Sequence, residues 1–441
     1  MTSDTRIAVI GQGYVGLPLA IAFVEAGLDV AGVDRSASRV AELLAGRSPI
    51  DDVEDDRLRA ALDRGFRVVE ADHAVDAVLG AADVLFVCVP TPITESKDPD
   101  LGPVREAAAL IGRSLRAGQL VILQSTTFPG TTTGPFRSVL EAGGLRAGTD
   151  FDLAFAPERV NPGDPRSASR EVPRLVGGTT TRATARAGAV LRQINDHVIE
   201  VSSPDAAEMA KIFENVFRNV NIALVNQLAL LSERMGLDVW EVIDAAATKP
   251  FGFMRFLPGP GVGGHCIPVD PYYLSWRARE FDFVDRFVEL AGDINLTMPR
   301  HVVDLVATAL NERGRAVRGS RIGVLGVAFK PNVQDARNSP AAAVIEGLLE
   351  RGGDVSYHDP FVPAFHAGAA ELASRPLDEL IAGSDVLVVV TPHRTIDWER
   401  VFRDGDLIVD CTNSVRGHDV RDRQVLRLGA GWAMPQPARV G

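Results

Sequence analysis

The stretch RIAVIGQGYVGLPLA, residues 6–20, joins a short apolar run to a helical pattern through three glycines. In a G-x-G-x-x-G turn between a strand and a helix, the first glycine permits a tight turn and the second lets backbone N–H groups approach a pyrophosphate. The third allows the helix to pack on the sheet. Here these are Gly11, Gly13 and Gly16. A glycine turn without a ligand is the alternative, but the context predicts a dinucleotide site at a helix N-terminus.

A carboxylate ends the next apolar run, LDVAGVD, 18 residues after Gly16. An acidic residue at about this distance accepts the ribose hydroxyls of NAD and repels the extra phosphate of NADP. That residue is Asp34. Arg35 beside it could accommodate the phosphate, but the carboxylate favours NAD as the cofactor.

Apolar runs alternate with helical patterns through the first 200 residues, and this alternation restarts at Arg321. Continuous runs of Val, Ile and Leu are typical of strands buried on both faces of a parallel sheet. The pattern predicts an α/β fold with two Rossmann-like, doubly wound parallel-sheet domains. The expected strands are residues 6–11, 28–34, 84–90, 120–126, 151–157, 321–329, 354–359, 385–392 and 406–412.

Between the two α/β regions, SPDAAEMAKIFENVFRNVNIALVNQLALLSERMG (203–236) predicts one long helix. Ser203 can cap it, Pro204 suits its first turn and Gly236 ends it. We expect a cofactor domain at 1–202, a central helical domain at 203–313 and a second α/β domain at 314–441.

Composition restricts the partners and the compartment. The net charge of −12 makes nucleic acid and anionic membranes poor partners. Three cysteines give no disulfide framework and suit a reducing compartment. The N-terminus lacks a signal-peptide pattern, and no apolar run reaches the roughly 18 residues of a membrane span. We expect a cytoplasmic protein, and we predict no metal site.

Lys211 and Asn215 are four residues apart on the long predicted helix and share a face, with Glu208 one turn before them. An ammonium and an amide on adjacent turns could stabilise negative charge on an alcohol oxygen during oxidation. The alternative is a surface Glu208–Lys211 ion pair beside a solvated Asn215. The apolar context KIFENVF tells against that alternative.

Cys266 lies in the glycine-rich stretch PGPGVGGHCIPVDP, residues 258–271. A thiolate attacks an aldehyde to give a thiohemiacetal, and a second oxidation gives a thioester that water hydrolyses. Together with an NAD site, this cysteine predicts four-electron oxidation of a primary alcohol to a carboxylate. Asp270, Glu158 and Thr126 are candidates for the proton transfers. Cys88 and Cys411 fall inside apolar strands, where cysteine usually behaves as a small hydrophobe.

These pieces occur in an order that resembles the UDP-glucose/UDP-N-acetylhexosamine 6-dehydrogenases, from about residue 6 to 428. The matching motifs are GQGYVGLPLA, CVPTP, STTFPGTT, APERVNPG, EMAKIFENVFRNVN, PGPGVGGHCIPVDPYYL and GVAFKPNVQDARNSP. The resemblance implies that the C-terminal domain binds a nucleotide sugar. It also implies a homodimer formed largely through the central helices.

The resemblance also implies roles for individual residues. Cys266 is the expected thioester-forming nucleophile, Lys211 and Asn215 the oxyanion and substrate-positioning pair, and Asp270 the acid/base partner of the cysteine. The expected cofactor contacts are Gly11, Gly13, Tyr14, Val15, Gly16, Asp34, Arg35, Pro90, Thr91, Ser125 and Thr126. The expected substrate contacts are Glu158, Arg159, Val160, Lys211, Asn215, Phe256, Gly263, Lys330 and Arg337.

The stretch KPFGFMRFLPGPGVGGHCIPVDPYYLSW (249–276) is similar to enzymes of the UDP-N-acetylglucosamine type. Val269 stands where the UDP-glucose type commonly has a lysine. Arg255 stands where similar enzymes often have a proline, and an added cation near the sugar could alter selectivity. A UDP- or dTDP-glucose enzyme of a secondary-metabolite pathway therefore stays open.

Two other classes of function fit fewer residues. A two-electron hydroxyacid dehydrogenase of the 3-hydroxyisobutyrate/6-phosphogluconate kind needs neither Cys266 nor a second α/β domain. A non-catalytic nucleotide-binding protein gives no reason for the cysteine, lysine, aspartate and glutamate together.

Overall fold

The computed structural model describes residues 5–50, 52–72, 75–94, 98–159 and 172–434. The chain divides into two compact units. The first unit consists of Met1–Asn215 and Val269–Val284, and the second of Val216–Pro268 and Asp285–Gly441. The boundary between the units falls inside the long helix, so the three-domain division at residues 202/203 and 313/314 stays a prediction.

The described residues of the first unit form an eight-stranded sheet in the order β3-β2-β1-β4-β5-β6-β7-β8. Six of its strands have the Rossmann order 3-2-1-4-5-6. All neighbouring strands are parallel except β6 and β7. The strands are β1 Arg6–Ile10, β2 Asp29–Asp34, β3 Arg67–Glu70, β4 Val84–Val87, β5 Leu120–Leu123, β6 Asp152–Phe155, β7 Arg174–Gly178 and β8 Val198–Glu200.

Helices cover both faces of this sheet. Ile7 and Val9 of β1 belong to one apolar core, and Ala8 and Ile10 belong to a second core on the opposite face, because successive strand side chains alternate. The helices before the long helix are α1 Gly16–Glu25, α2 Ala37–Leu44, α3 Asp55–Asp63, α4 Val75–Ala81, α5 Gly102–Gly112, α6 Arg137–Leu140 and α7 Thr181–Leu191.

The long helix α8 spans Pro204–Met235, 32 residues, as predicted. Its N-terminus is capped by the Ser203 hydroxyl, which accepts a hydrogen bond of 3.2 Å from the Ala206 N–H. Gly236 ends it with a φ of +70°, a conformation that glycine adopts readily. No helix among the described residues has the length and apolarity needed to span a bilayer.

The second unit contains a six-stranded sheet within its described residues, in the order β10-β9-β13-β14-β15-β16. Its strands are parallel except for the β15–β16 pair, and β11 and β12 form a separate antiparallel hairpin. The strands are β9 Arg321–Leu325, β10 Asp354–His358, β11 Ala364–Ala367, β12 Ala370–Ala373, β13 Val386–Val389, β14 Ile408–Asp410, β15 Val425–Arg427 and β16 Gly431–Trp432.

The remaining helices follow α8 in the chain. They are α9 Val239–Ala247, α10 Asp270–Ala278, α11 Arg286–Glu312, α12 Pro340–Glu350, α13 Leu377–Gly383 and α14 Trp398–Asp404. Of these, α10 belongs to the first unit and the others to the second. The predicted fold class, two doubly wound sheets with a helical region between them, is confirmed. Except for residues 28–34, the predicted strands were too long at their carboxyl ends, where the chain leaves the sheet to form loops.

Candidate active site

The three glycines in the turn after β1 have two different structural roles. Gly11 has a φ of +91°, and a Cβ there would lie 2.4 Å from the Cys88 carbonyl oxygen. A Cβ on Gly16 would lie 1.8 Å from the Gly11 carbonyl oxygen. A Cβ on Gly13 would meet no atom within 4 Å. Gly11 and Gly16 are therefore required for packing, whereas Gly13 keeps the N-terminal approach to α1 open, which fits a pyrophosphate.

Asp34, at the end of β2, braces this turn. It accepts hydrogen bonds from the Gln12 N–H at 2.8 Å and the Ser36 N–H at 2.9 Å. The Arg39 guanidinium is the cation that contacts its carboxylate, at 3.1 Å. A carboxylate has about four acceptor positions, so these three bonds are compatible with an additional ribose hydroxyl. Arg35 instead pairs with Glu106 at the surface.

Glu208 lies on the buried side of α8. Its Oε2 accepts the Gly130 N–H at 2.7 Å. Its Oε1 accepts the Thr132 N–H at 2.9 Å and the Thr132 hydroxyl at 2.6 Å. Burial raises the pKa of Glu208 to about 7, although the bonds from Thr132 and Gly130 oppose that rise. A surface ion pair at this position is therefore wrong: Glu208 ties the loop that follows Thr126 to the helix that carries Lys211.

About two helical turns after Glu208 on α8, Asn215 meets the first residue of α10. The Asn215 Nδ2 donates to Asp270 Oδ2 at 2.6 Å, and both side chains are buried. Burial raises the pKa of Asp270 to about 7, while the positive charge of Lys211 and the bond from Asn215 oppose the rise. The first unit thus brings Lys211, Asn215 and Asp270 together around a carboxyl group that can exchange a proton near neutral pH.

Helix α10 is fixed to the loops at the carboxyl ends of β4 and β5. The buried Tyr273 hydroxyl donates to the carbonyl oxygens of Thr91 and Pro92, the latter at 3.0 Å. The Arg277 Nε donates to the Pro129 carbonyl at 3.2 Å. These bonds therefore fix the position of Asp270 relative to the turn that contains the expected cofactor contacts Pro90 and Thr91.

Glu158 follows β6 and sits between polar partners. Its Oε2 accepts the Gln124 side-chain amide at 3.1 Å and the Arg174 guanidinium at 3.1 Å. The Arg159 side chain pairs with Glu214 of α8 at 2.7 Å. In the neighbouring β5 loop, the Ser125 hydroxyl donates to the Val89 carbonyl at 2.7 Å. Val160, an expected substrate contact, lies outside the described residues.

In the second unit, the loop with Cys266 lies against the segment that follows β9. The Gly264 N–H donates to the Arg337 carbonyl at 3.3 Å, and the Asn338 amide donates to the Gly264 carbonyl at 3.1 Å. A Cβ on Gly263 would lie 2.9 Å from both the Asn338 carbonyl oxygen and the Phe329 Cβ. Cys266 is exposed. The expected substrate residues Gly263, Lys330 and Arg337 thus occupy two adjoining segments.

Three sequence-family models match the chain in succession. They are those of the UDP-glucose/GDP-mannose dehydrogenase family: the NAD binding domain at residues 5–197, the central domain at 205–297 and the UDP binding domain at 323–417. The chain belongs to the UDP-glucose/GDP-mannose dehydrogenase family. It is an NAD-dependent oxidoreductase that acts on a nucleotide sugar, and the non-catalytic alternative is wrong.

Characterised relatives match the dehydrogenase over most of its length. The UDP-N-acetyl-D-mannosamine dehydrogenase of Pyrococcus horikoshii is 36% identical over 93% of this chain and 96% of its own. The UDP-N-acetyl-D-glucosamine 6-dehydrogenase of Pseudomonas aeruginosa is 38% identical over 82% of this chain and 84% of its own. The solved structure of the UDP-D-ManNAc dehydrogenase from P. horikoshii superposes with a TM-score of 0.85 at 33% identity, covering 97% of this chain and 100% of that one.

Arg255 does not act as an isolated cation in the dehydrogenase. Its guanidinium bonds to Asp244 of α9 at 2.5 Å, and Arg416 contacts the other oxygen of Asp244 at 2.7 Å. The carboxylate therefore holds two guanidinium groups, and the trio keeps a net positive charge. The nearby Phe256, an expected substrate contact, packs edge-on against Phe217 with 5.8 Å between ring centroids.

The other two cysteines of the dehydrogenase are buried, but their predicted location was slightly wrong. Cys88 and Cys411 each lie one residue past the end of a strand, β4 and β14, rather than inside it. Burial raises the pKa of both thiols above the ordinary value. Neither thiol is reactive by the criterion that the thiolate is the nucleophile.

Proposed function

We propose that this dehydrogenase oxidises the C6 hydroxymethyl group of a UDP-N-acetylhexosamine to a carboxylate in two successive two-electron steps. The observation that carries the proposal is the cluster that Lys211 forms with the buried side chains of Asn215 and Asp270. This cluster provides an ammonium, an amide and a carboxyl group with a pKa near 7. Because Cys266 adds an exposed thiol four residues before Asp270 in the chain, the chemistry can proceed past the aldehyde.

The Gly11–Gly16 turn would hold two NAD molecules in succession, and each would accept one hydride. In the first, Lys211 and Asn215 stabilise the C6 oxygen as its proton leaves and the C6–H bond breaks, which gives an aldehyde. The Cys266 thiol passes its proton to Asp270, and the thiolate adds to C6. The new C–S bond and a proton on the C6 oxygen give a thiohemiacetal.

In the second oxidation, the thiohemiacetal oxygen again loses its proton beside Lys211, and the remaining C6–H electron pair leaves as hydride. The product is a thioester on Cys266. Water then adds to the thioester carbon, the C–S bond breaks and the thiol is restored as the uronic acid forms. We propose that Glu158, oriented by Gln124 and Arg174, and Thr126 position this water.

The proposed sugar is UDP-N-acetylglucosamine, with UDP-N-acetylmannosamine second. Two relatives of similar identity carry these two names, one from P. aeruginosa and one from P. horikoshii. Lys330 and Arg337 are the proposed diphosphate contacts, because guanidinium and ammonium groups bind phosphate oxygens strongly. Because Arg255 shares Asp244 with Arg416, a net positive charge remains in this region, and a UDP- or dTDP-glucose substrate is the alternative.

We also propose a cytoplasmic homodimer. Large apolar side chains of α8 are exposed in the single chain: Phe213, Phe217, Leu224 and Leu231 are between 41% and 63% accessible. Exposed apolar stripes of this kind mark association surfaces. A monomer in light scattering at micromolar concentration would contradict the dimer.

The deciding assay follows NADH absorbance with UDP-linked N-acetylglucosamine, N-acetylmannosamine and glucose, and with dTDP-glucose. We expect the acetamido sugars to be preferred and two NADH to form per sugar. In Cys266→Ser, we expect uronic acid release to be lost while oxidation to the aldehyde level persists. One NADH per sugar, or undiminished acid from Cys266→Ser, would refute the thioester route.

A further inference from the structure

His265, immediately before the proposed nucleophile, links the Cys266 loop through its side chain to the segment that carries Lys330 and Arg337. Its Nε2 lies 2.8 Å from Asp335 Oδ2 and also contacts the Arg337 guanidinium. Its ring lies 6.0 Å, centroid to centroid, from that of Phe329. These partners all belong to the 329–338 segment of the second unit.

Asp335 is the centre of this link. Its side chain is only 8% exposed, and it accepts the Arg337 N–H at 3.0 Å and the Arg337 Nε–H at 2.9 Å. Its own carbonyl accepts the Phe329 N–H at 3.0 Å, which closes the segment on itself. Burial alone would raise the pKa of Asp335, but the bonds from His265 and Arg337 hold it well below the ordinary value. The carboxylate therefore stays charged and keeps both partners.

The backbone that precedes His265 and Cys266 contains two adjacent glycines. Gly263 and Gly264 precede His265, and Gly264 has a φ of +88°. The two Gly264 backbone bonds described above are long, at 3.1 Å and 3.3 Å. Hydrogen bonds to charged groups are stronger than neutral ones. The His265–Asp335 bond is therefore a stronger restraint than either Gly264 bond.

We infer that His265 is a positioning residue that couples occupancy of the nucleotide site to the placement of Cys266. A guanidinium has five N–H donors, so Arg337 can hold Asp335 and a phosphate oxygen at the same time. Phosphate binding then orders Arg337, Asp335 and His265 as one hydrogen-bonded chain, and the peptide bond from His265 carries that order to Cys266. The inference rests on the proposed roles of Arg337 and Cys266.

The test measures alkylation of Cys266 by iodoacetamide with and without saturating UDP, which lacks the sugar that would cover the thiol. Cys88 and Cys411 are buried, and Cys266→Ser gives the background. In the native enzyme, UDP should slow alkylation about tenfold by ordering the loop. In His265→Ala, calorimetry should still detect UDP binding, but the protection should fall to less than about twofold.

Conservative variants separate loss of the positioning bond from general destabilisation of the protein. The Nε2 of glutamine can reach the position of the histidine Nε2, so His265→Gln should restore most of the protection. In turnover, His265→Ala should lower kcat about tenfold or more while changing KM for the nucleotide sugar little, and His265→Gln should recover kcat. If His265→Ala fails to fold, Asp335→Asn, which removes the charge and leaves the loop unchanged, should show the same loss of protection.

Two results would overturn the inference. The first is UDP protection that persists in both His265→Ala and Asp335→Asn. The second is a native enzyme that binds UDP without any change in the alkylation rate. If UDP does not bind the native enzyme at all, the inference fails together with the nucleotide role of Arg337. Two NADH per sugar would still support the proposed oxidation, so the two failures are distinguishable.

Discussion

In both sheets, an aspartate at the end of the second strand accepts a hydrogen bond from the turn that follows the first strand. The loops that continue from the two turns differ. In the first unit, the Gln12 N–H donates to Asp34 at 2.8 Å. In the second unit, the Val327 N–H donates to Asp359 at 2.7 Å. Each aspartate directly follows, or ends, the neighbouring second strand. An aspartate at this place is therefore a structural element of both turns, whatever each turn binds.

The difference lies at the third residue of each turn. Gly13 keeps open space, and α1 begins three residues later at Gly16. Ala328 is fully buried and its N–H donates to Asp359 at 2.9 Å, so this amide is used within the protein. Helix α12 begins only at Pro340. One turn thus suits a pyrophosphate at a helix N-terminus, and the other carries a long segment with Lys330 and Arg337.

The surroundings of the two aspartates also differ. Asp359 is enclosed with His393, which is fully buried and lies 3.0 Å from it, and it also accepts the N–H groups of Phe361 and Val362. Asp34 has the partly exposed Arg39 instead. We infer that Asp359 chiefly stabilises its unit, whereas Asp34 also remains within reach of a ligand.

The largest expected effect is a loss of folding stability in the variant Asp359→Asn. The asparagine amide would face backbone N–H donors, and His393 would lose its charged partner. Breaking a buried pair in this way costs about 3–5 kcal/mol. Urea unfolding should show that loss, with a smaller loss for Asp34→Asn as the matched control. Equal losses in the two variants would contradict the difference between the units.

The next prediction is that the contributions of two buried acids, Glu208 and Asp359, to folding stability change with pH in opposite directions. Glu208 has its pKa raised from 4.5 to about 7, so its folded form binds the proton more tightly than its unfolded form. Its contribution to stability is complete below about pH 4.5 and declines by on the order of 3 kcal/mol as the pH rises to about 7.

Asp359 should behave in the opposite way. Burial would raise its pKa, but the His393 bond and charge and the backbone N–H groups lower it below 3.8. Its contribution is present above that value and is lost as the pH falls through the lowered pKa. Unfolding followed from pH 3 to 8 should separate the two trends. Glu208→Gln should reduce the decline toward neutral pH, and the remaining decline should come from Asp270, whose pKa is also raised to about 7. A native-like decline in Glu208→Gln would exclude this carboxyl as its source.

A third prediction concerns the third residue of the glycine turn. A Cβ at Gly13 meets no protein atom within 4 Å, so Gly13→Ala should fold normally but obstruct the pyrophosphate. Losing one charge-assisted bond of about 1.5–3 kcal/mol should raise KM for NAD by about 10- to 100-fold. Ala328→Gly, the matched change in the other turn, should leave KM for NAD unaffected. A variant that loses stability rather than NAD affinity would assign Gly13 to packing.

Much of this architecture could be predicted because its signals are local. The glycine turn, the apolar strands and the capped helix α8 each occupy a continuous stretch. The strand ends were harder: apolar character continues through Pro90 although β4 ends at Val87, because the loops beside the site are themselves partly buried. Local periodicity cannot distinguish a buried loop from a strand.

The supporting contacts of the site could not be predicted in the same way. Glu208 reaches Thr132 across 76 residues of sequence, and Tyr273 reaches Thr91 across 182. His265 and Asp335 are 70 residues apart. Nothing in the spacing of these residues indicates the pairing. Only the shared helical face of Glu208, Lys211 and Asn215 gave a signal, since residues three or four apart lie on one side of a helix.

The smallest expected effect tests the ligand role of Asp34 against its bracing role. Asp34→Asn removes the negative charge that disfavours the additional phosphate of NADP, so the preference for NAD over NADP, measured as a ratio of kcat/KM, should fall about tenfold. Loss of the brace alone would weaken both cofactors equally and leave the ratio unchanged. Arg35→Ala is the control: because Arg35 pairs with Glu106 at the surface, the ratio should not change. A change in Arg35→Ala equal to that in Asp34→Asn would instead make the arginine a determinant of cofactor choice.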